Sequence, residues 1–95
     1  MRRMIKHNSY FDGAVQSLGF ERNGRRQTVG VIAPGAVTFT TDAAERMNVV
    51  CGELLIRIAG GEWRHYPQGT AFEVPAKTAF DIKATAAAAY WCEFL

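Results

Sequence analysis

The strongest constraint on this chain is its punctuation. Glycine- or proline-bearing turn signals recur along it, at Asp12-Gly13, Asn23-Gly24, Pro34-Gly35, Gly60-Gly61 and Pro67-Gln68-Gly69. Glycine supplies positive φ and proline fixes φ near −65°, so each is a place for the chain to reverse. Between the turns, apolar and polar residues alternate instead of recurring every third or fourth position. RRQTVGVIA sets Arg26, Thr28, Gly30 and Ile32 against Gln27, Val29 and Val31; AVTFTT sets Thr38 and Thr40 against Val37, Phe39 and Thr41; ERMNVVC puts Glu45, Met47, Val49 and Cys51 on one side. Side chains of a strand point alternately to its two faces, so these are strands, and β-branched and aromatic residues fill them. One helical turn is expected, at Asp42-Ala43-Ala44, capped by Asp42. Short strands at this spacing in 95 residues make one all-β domain, a barrel or sandwich with a single core.

Composition narrows the function. Apolar residues make up 48% and charged residues 21%, the balance of a folded globular chain. A net charge of +2 is too small for a nucleic-acid surface. Arg2, Arg3 and Lys6 fall on an N-terminal stretch, residues 1–9, read as a flexible basic arm ahead of a barrel domain at 10–95. Neither a secretory signal nor an apolar run of about 20 residues is visible, so a cytoplasmic protein without membrane contact is expected. Cys51 and Cys92 lack metal-ligand spacing and read as buried free thiols.

Two phrases narrow the barrel. Glu45 and Gly52 are separated by six residues; Gly69 and Pro75 (GTAFEVP) are separated by five. In this order they resemble the two motifs of cupins, double-stranded β-helix barrels of jelly-roll type. Gly52 and Gly69 would make turns, and Pro75 would end a strand. Metal-binding cupins carry His-x-His before the glutamate and a further histidine after the proline. Here those places hold Thr38-Phe39-Thr40 and Phe80. Threonine and phenylalanine are poor or impossible ligands for a transition metal, so no metal and no cofactor is expected. The residues by themselves lead to a metal-free barrel that binds a small polar molecule, with or without catalysis. If Thr38 and Thr40 point inward as the cupin histidines do, then they, Glu45, and Arg26 and Thr28 from the next strand share one space. Guanidinium and hydroxyls suit an oxyanion; a carboxylate suits sugar hydroxyls; aromatic faces suit a flat ring.

The likeness extends beyond the barrel motifs. From YFDGAVQSLGF through TVGVIAPGAVTFTTDAAERMNVVCGELLIRI and EWRHYPQGTAFEVPAKTAFDIKA to AYWCEFL, the chain resembles the pyrimidine/purine nucleoside phosphorylases, small bacterial cupins. The resemblance implies conversion of purine and pyrimidine nucleosides such as adenosine and uridine, with inorganic phosphate, into free base and α-D-ribose 1-phosphate. On that footing Arg26, Thr28, Thr38 and Thr40 are candidates to bind phosphate, and Glu45 to hold the ribose and offset its developing positive charge. Phe80, Phe72, Phe39 and Tyr10 are candidates to stack on the base. No general acid for the leaving base stands out. Trp63, Tyr66 and Trp91 are candidates for covering a homodimer face.

Overall fold

The computed structural model describes residues 4–95, and Arg2 and Arg3 of the expected arm lie outside them. Ten strands follow one another: β1 (Lys6–Tyr10), β2 (Val15–Arg22), β3 (Arg25–Ile32), β4 (Gly35–Thr40), β5 (Glu45–Cys51), β6 (Glu53–Ile58), β7 (Arg64–Pro67), β8 (Ala71–Val74), β9 (Ala79–Ala84) and β10 (Ala88–Phe94). They form a six-stranded sheet ordered β1-β2-β3-β10-β5-β8 and a four-stranded sheet ordered β4-β9-β6-β7. Every pairing is antiparallel. The two sheets face each other as the halves of a jelly roll, and the chain crosses between them at β3–β4, β4–β5, β5–β6, β7–β8, β8–β9 and β9–β10. Among the described residues there is no helix, and the Asp42-Ala43-Ala44 segment is a bend.

Turn chemistry puts the reversals where they are. Gly52 and Gly69 adopt φ of 79° and 87°, and β8 stops at Val74, immediately before Pro75. The β1–β2 turn is less ordinary, because Phe11 and Asp12 also hold positive φ, 53° and 55°, before Gly13. Left-handed backbone costs a residue with a Cβ about 1–2 kcal/mol, so the surroundings must hold this turn. Hydrogen bonds from Gly13 N to Tyr10 O and from Ala14 N to Phe11 O do part of that. The edges of the Tyr10 and Phe11 rings against Phe39, with centroids 5.4 and 5.2 Å away, add to it.

Where the core ends decides where a site can form. Along the inner face of the larger sheet, cross-strand rows change from hydrocarbon to polar. Val15, Ile32 and Ala88 form the first row, and Ser17, Gly30, Tyr90 and Val49 the second. Gly19, Thr28, Cys92, Met47 and Phe72 form the third, and Glu45 and Val74 stand beside Phe94 in the fourth. Leu54, Ile56 and Ile82 of the smaller sheet are wholly buried against the hydrocarbon end. Truncating such a residue to alanine costs about 2–5 kcal/mol. Opposite the polar rows the sheets do not close on each other.

Three expectations change here. Lys6 to Ser9, read as arm, belong to β1, hydrogen-bonded along β2 from Lys6–Gly19 to Tyr10–Val15. Trp63, Tyr66 and Trp91 do not share a face. Trp63 lies against Arg57 and Lys83, Tyr66 packs on Phe72, and the Trp91 indole donates to Gln27 on the larger sheet. Cys51 is exposed; Cys92 is buried.

A polar and aromatic cavity at the open end of the barrel

The unclosed end is a cavity of about 270 Å³. That is near the lower limit of small-molecule sites, which begin at roughly 300 Å³. One wall belongs to the larger sheet and is mainly polar, with Ser17, Arg26, Thr28, Glu45, Tyr90 and Cys92 beside Met47 and Phe94. The other belongs to the smaller sheet and is apolar, with Phe39, Phe80 and Ile82; Tyr10, Thr40 and Asp42 also line the space. Phe39 and Phe80 are cross-strand partners on β4 and β9, their rings near-parallel (26°) with centroids 6.0 Å apart. A planar group can lie against that wall while its polar substituents reach the other.

The guanidinium of Arg26 lies 4.9 Å from the centre of the Phe94 ring. Among the described residues no carboxylate forms an ion pair with it. Arg46 and Arg57, by contrast, are paired with Glu73 and Asp81. A forked donor without an internal acceptor, beside the Thr28 hydroxyl, is disposed to hold an oxyanion.

Deeper in, Cys92 stands opposite Thr28 on the neighbouring strand and lines the cavity with Glu45. Burial pushes the Cys92 thiol up to about 12, so it stays a neutral, weak donor. Burial also raises the Glu45 carboxyl above its ordinary 4.5, and the hydrogen bond from Cys92 opposes this. A carboxylate held partly out of water with so weak a partner is short of donors, which sugar hydroxyls can supply.

Not every residue singled out in the sequence arrives here. Tyr10, Arg26, Thr28, Phe39, Thr40, Glu45 and Phe80 all line the cavity, Thr40 as an exposed residue at its lip. Thr38 does not. Its hydroxyl donates to Asp81 at 2.6 Å on the outer face of the smaller sheet, where Arg57 Nε donates to the same carboxylate at 2.8 Å. Those bonds hold the Asp81 carboxyl below its ordinary 3.8. The inward positions of β4 go to Val37 and Phe39, which pack on the core. Hydrocarbon gains more from that burial than a threonine would, so the inward orientation expected from the cupin histidines is reversed at Thr38. Phe72 does not line the cavity either; it is buried against Tyr66, with ring centroids 4.7 Å apart. Ser17 and Tyr90, which line it, were not anticipated. The signal for them was Gly30, a glycine inside a strand, which marks a close approach. Among the described residues no three His, Cys, Asp or Glu side chains cluster as metal ligands would.

A jelly roll closed at one end by hydrocarbon and open at the other onto such a cavity defines a cupin-type barrel. A solved RmlC-like cupin from Shewanella frigidimarina shares the fold, with a TM-score of 0.76 at 14% identity over 95% of this chain and 82% of that one. The chain belongs to the pyrimidine/purine nucleoside phosphorylase family, whose sequence pattern matches residues 5–94. A relative from Sorangium cellulosum with that name is 66% identical over 97% of this chain and 100% of its own length. A crystal structure from Vibrio parahaemolyticus, described as a protein of unknown function, is 45% identical over 97% of this chain and 99% of its own, with a TM-score of 0.94.

Proposed function

We propose that this cavity catalyses phosphorolysis of purine and pyrimidine nucleosides, releasing the free base and α-D-ribose 1-phosphate without a metal ion. The observation that carries this reading is Arg26, a guanidinium at the cavity mouth with no carboxylate partner among the described residues. Family membership supplies the reaction class.

The steps follow from the two walls. Arg26 and Thr28 hold hydrogen phosphate, with Thr40 at the lip. The base lies on Phe39 and Phe80, and Tyr10 covers its open edge. As the C1′–N bond breaks, its electron pair goes to the base and the ribose ring becomes positive. Glu45, ionised, accepts hydrogen bonds from the ribose hydroxyls and offsets that charge. A phosphate oxygen forms the new bond to C1′, and the proton it carried ends on the base. Holding both reactants in one cavity removes most of the entropic barrier to this attack. Stacking is indifferent to the edge pattern of a base, which favours tolerance of both base classes.

Leu18, Val29 and Val31 are exposed on the outer face of the larger sheet. An exposed apolar strip of this kind supports pairing of two copies in solution. Among the described residues no helix is long and apolar enough to cross a membrane. We assign the protein to the cytoplasm, where its substrates are.

The test is release of uracil from uridine and adenine from adenosine, with and without phosphate, before and after chelation. The expected result is release that requires phosphate and is unchanged by the chelator. Saturable nucleoside binding with no release would make this a binding module instead.

A further inference from the structure

The second cross-strand row of the larger sheet contains a hydroxyl pair that the proposed mechanism leaves unused. Tyr90 on β10 faces Gly30 on β3, and Ser17 on β2 faces the same glycine from the other side. Tyr90 and Ser17 are both buried, and both line the cavity. Asn8 Nδ2 donates to Ser17 Oγ at 3.4 Å, and Ser17 and Tyr90 flank Gly30 on the two neighbouring strands.

Ser17 Oγ has two lone pairs and one hydrogen, so with Asn8 on one lone pair it can still support the Tyr90 oxygen while the phenol hydrogen turns toward the cavity that both residues line. Burial pushes the Tyr90 phenol up to about 12, so the group is a donor throughout the neutral range. The ring is held in place by packing over Gly30, where a side chain of any size would collide with it. A buried, fixed, neutral donor facing a cavity calls for an acceptor on the ligand.

Nucleobases differ around most of their edges but share one feature beside the glycosidic nitrogen. Purines carry N3 there and pyrimidines O2, acceptors in equivalent places, as the minor groove of DNA displays them. We infer that Tyr90 donates a hydrogen bond to this shared acceptor, purine N3 or pyrimidine O2, and so recognises every base by the same contact. Ser17 is the positioning residue that aims the phenol. The bond strengthens as the base leaves with the glycosidic electron pair, because charge accumulates on that acceptor. This inference rests on the phosphorylase reading and adds its specificity determinant.

The experiment compares adenosine with 3-deazaadenosine, in which N3 is replaced by CH, in the unmodified protein and in Tyr90→Phe. Phenylalanine keeps the ring over Gly30 and removes only the hydroxyl. The unmodified protein should prefer adenosine by about tenfold to a hundredfold in kcat/KM, the span of one hydrogen bond to a charge-bearing acceptor. Tyr90→Phe should lose most of that preference, and should lose activity on adenosine and uridine by similar factors. A preference equal in the two proteins, or none in the unmodified one, overturns the role of Tyr90 while phosphorolysis stands. Absence of phosphorolysis of adenosine and uridine in the unmodified protein would instead overturn the phosphorylase reading itself.

Discussion

Gly30 and Tyr90 occupy the same space by turns: a Cβ built on Gly30 would lie 2.5 Å from both Cζ and Oη of Tyr90. No side chain approaches another atom so closely, and what stands in the way is a ring with few alternatives in a packed sheet. Glycine at this position is therefore a condition for tyrosine at the other.

Gly30→Ala should displace the Tyr90 ring and cost about 1–3 kcal/mol of stability, the usual penalty of overpacking. Urea unfolding measures it. Tyr90→Ala in the same protein should recover part of the loss, because the two positions are in contact and their effects are not additive. Equal and additive losses would mean that the clash is absorbed elsewhere.

Arg26→Ala should raise KM for phosphate by about tenfold to a hundredfold, the scale of a charge-assisted hydrogen bond, while changing KM for uridine little. Arg26→Lys should recover only part of the affinity, since an ammonium lacks the fork. Steady-state kinetics with each substrate varied in turn separates the two effects.

Thr28 and Thr38 make a matched pair for locating phosphate. Thr28 lines the cavity, whereas Thr38 is bonded to Asp81 on the outer surface. Thr28→Val should weaken phosphate binding severalfold, by about the worth of one neutral hydrogen bond. Thr38→Val should leave KM for phosphate unchanged and let the Asp81 carboxyl rise, which carboxyl NMR titration would register.

Glu45 gives the pH dependence. Its carboxyl is raised above 4.5 in the folded protein, chiefly by burial, so the native state holds this proton more tightly than the unfolded chain does. The stability that Glu45 contributes is then fully present below pH 4.5 and is lost as pH rises through the folded value. Glu45→Gln should remove this dependence, so its stability relative to the parent should grow with pH above 4.5 and then level off. Activity runs the other way. The mechanism needs the carboxylate, so kcat/KM should fall on the acid side with an apparent pKa above 4.5, and Glu45→Gln should be slow at every pH.

How far the sequence carried is clearest strand by strand. On β3 the alternation alone put Arg26, Thr28, Gly30 and Ile32 together, and three of them are buried, while Val29 and Val31 of the opposite set are exposed. On β4 the same alternation produced two sets without saying which faces in. Analogy with the cupin histidines selected the threonines, and the gain from burying Val37 and Phe39 reversed that choice. β2 misleads more deeply. Apolar Leu18 is exposed, while small, polar Ser17 is buried. A strand that lines a binding cavity keeps its inner face small and polar, so hydropathy points the wrong way at the site. Phe72 fell to the opposite error. It is on the correct face, but beside Met47 at the edge of the filled core, not at the open end.

The central claim is that phosphate, held beside the ribose, is the group that attacks C1′. Turnover of uridine with ¹⁸O-labelled phosphate in unlabelled water tests it most directly, with the sugar product read by mass spectrometry. Ribose 1-phosphate should form with label in the oxygen joining C1′ to phosphorus, in amounts equal to the uracil released. Free ribose carrying an oxygen from water would contradict it.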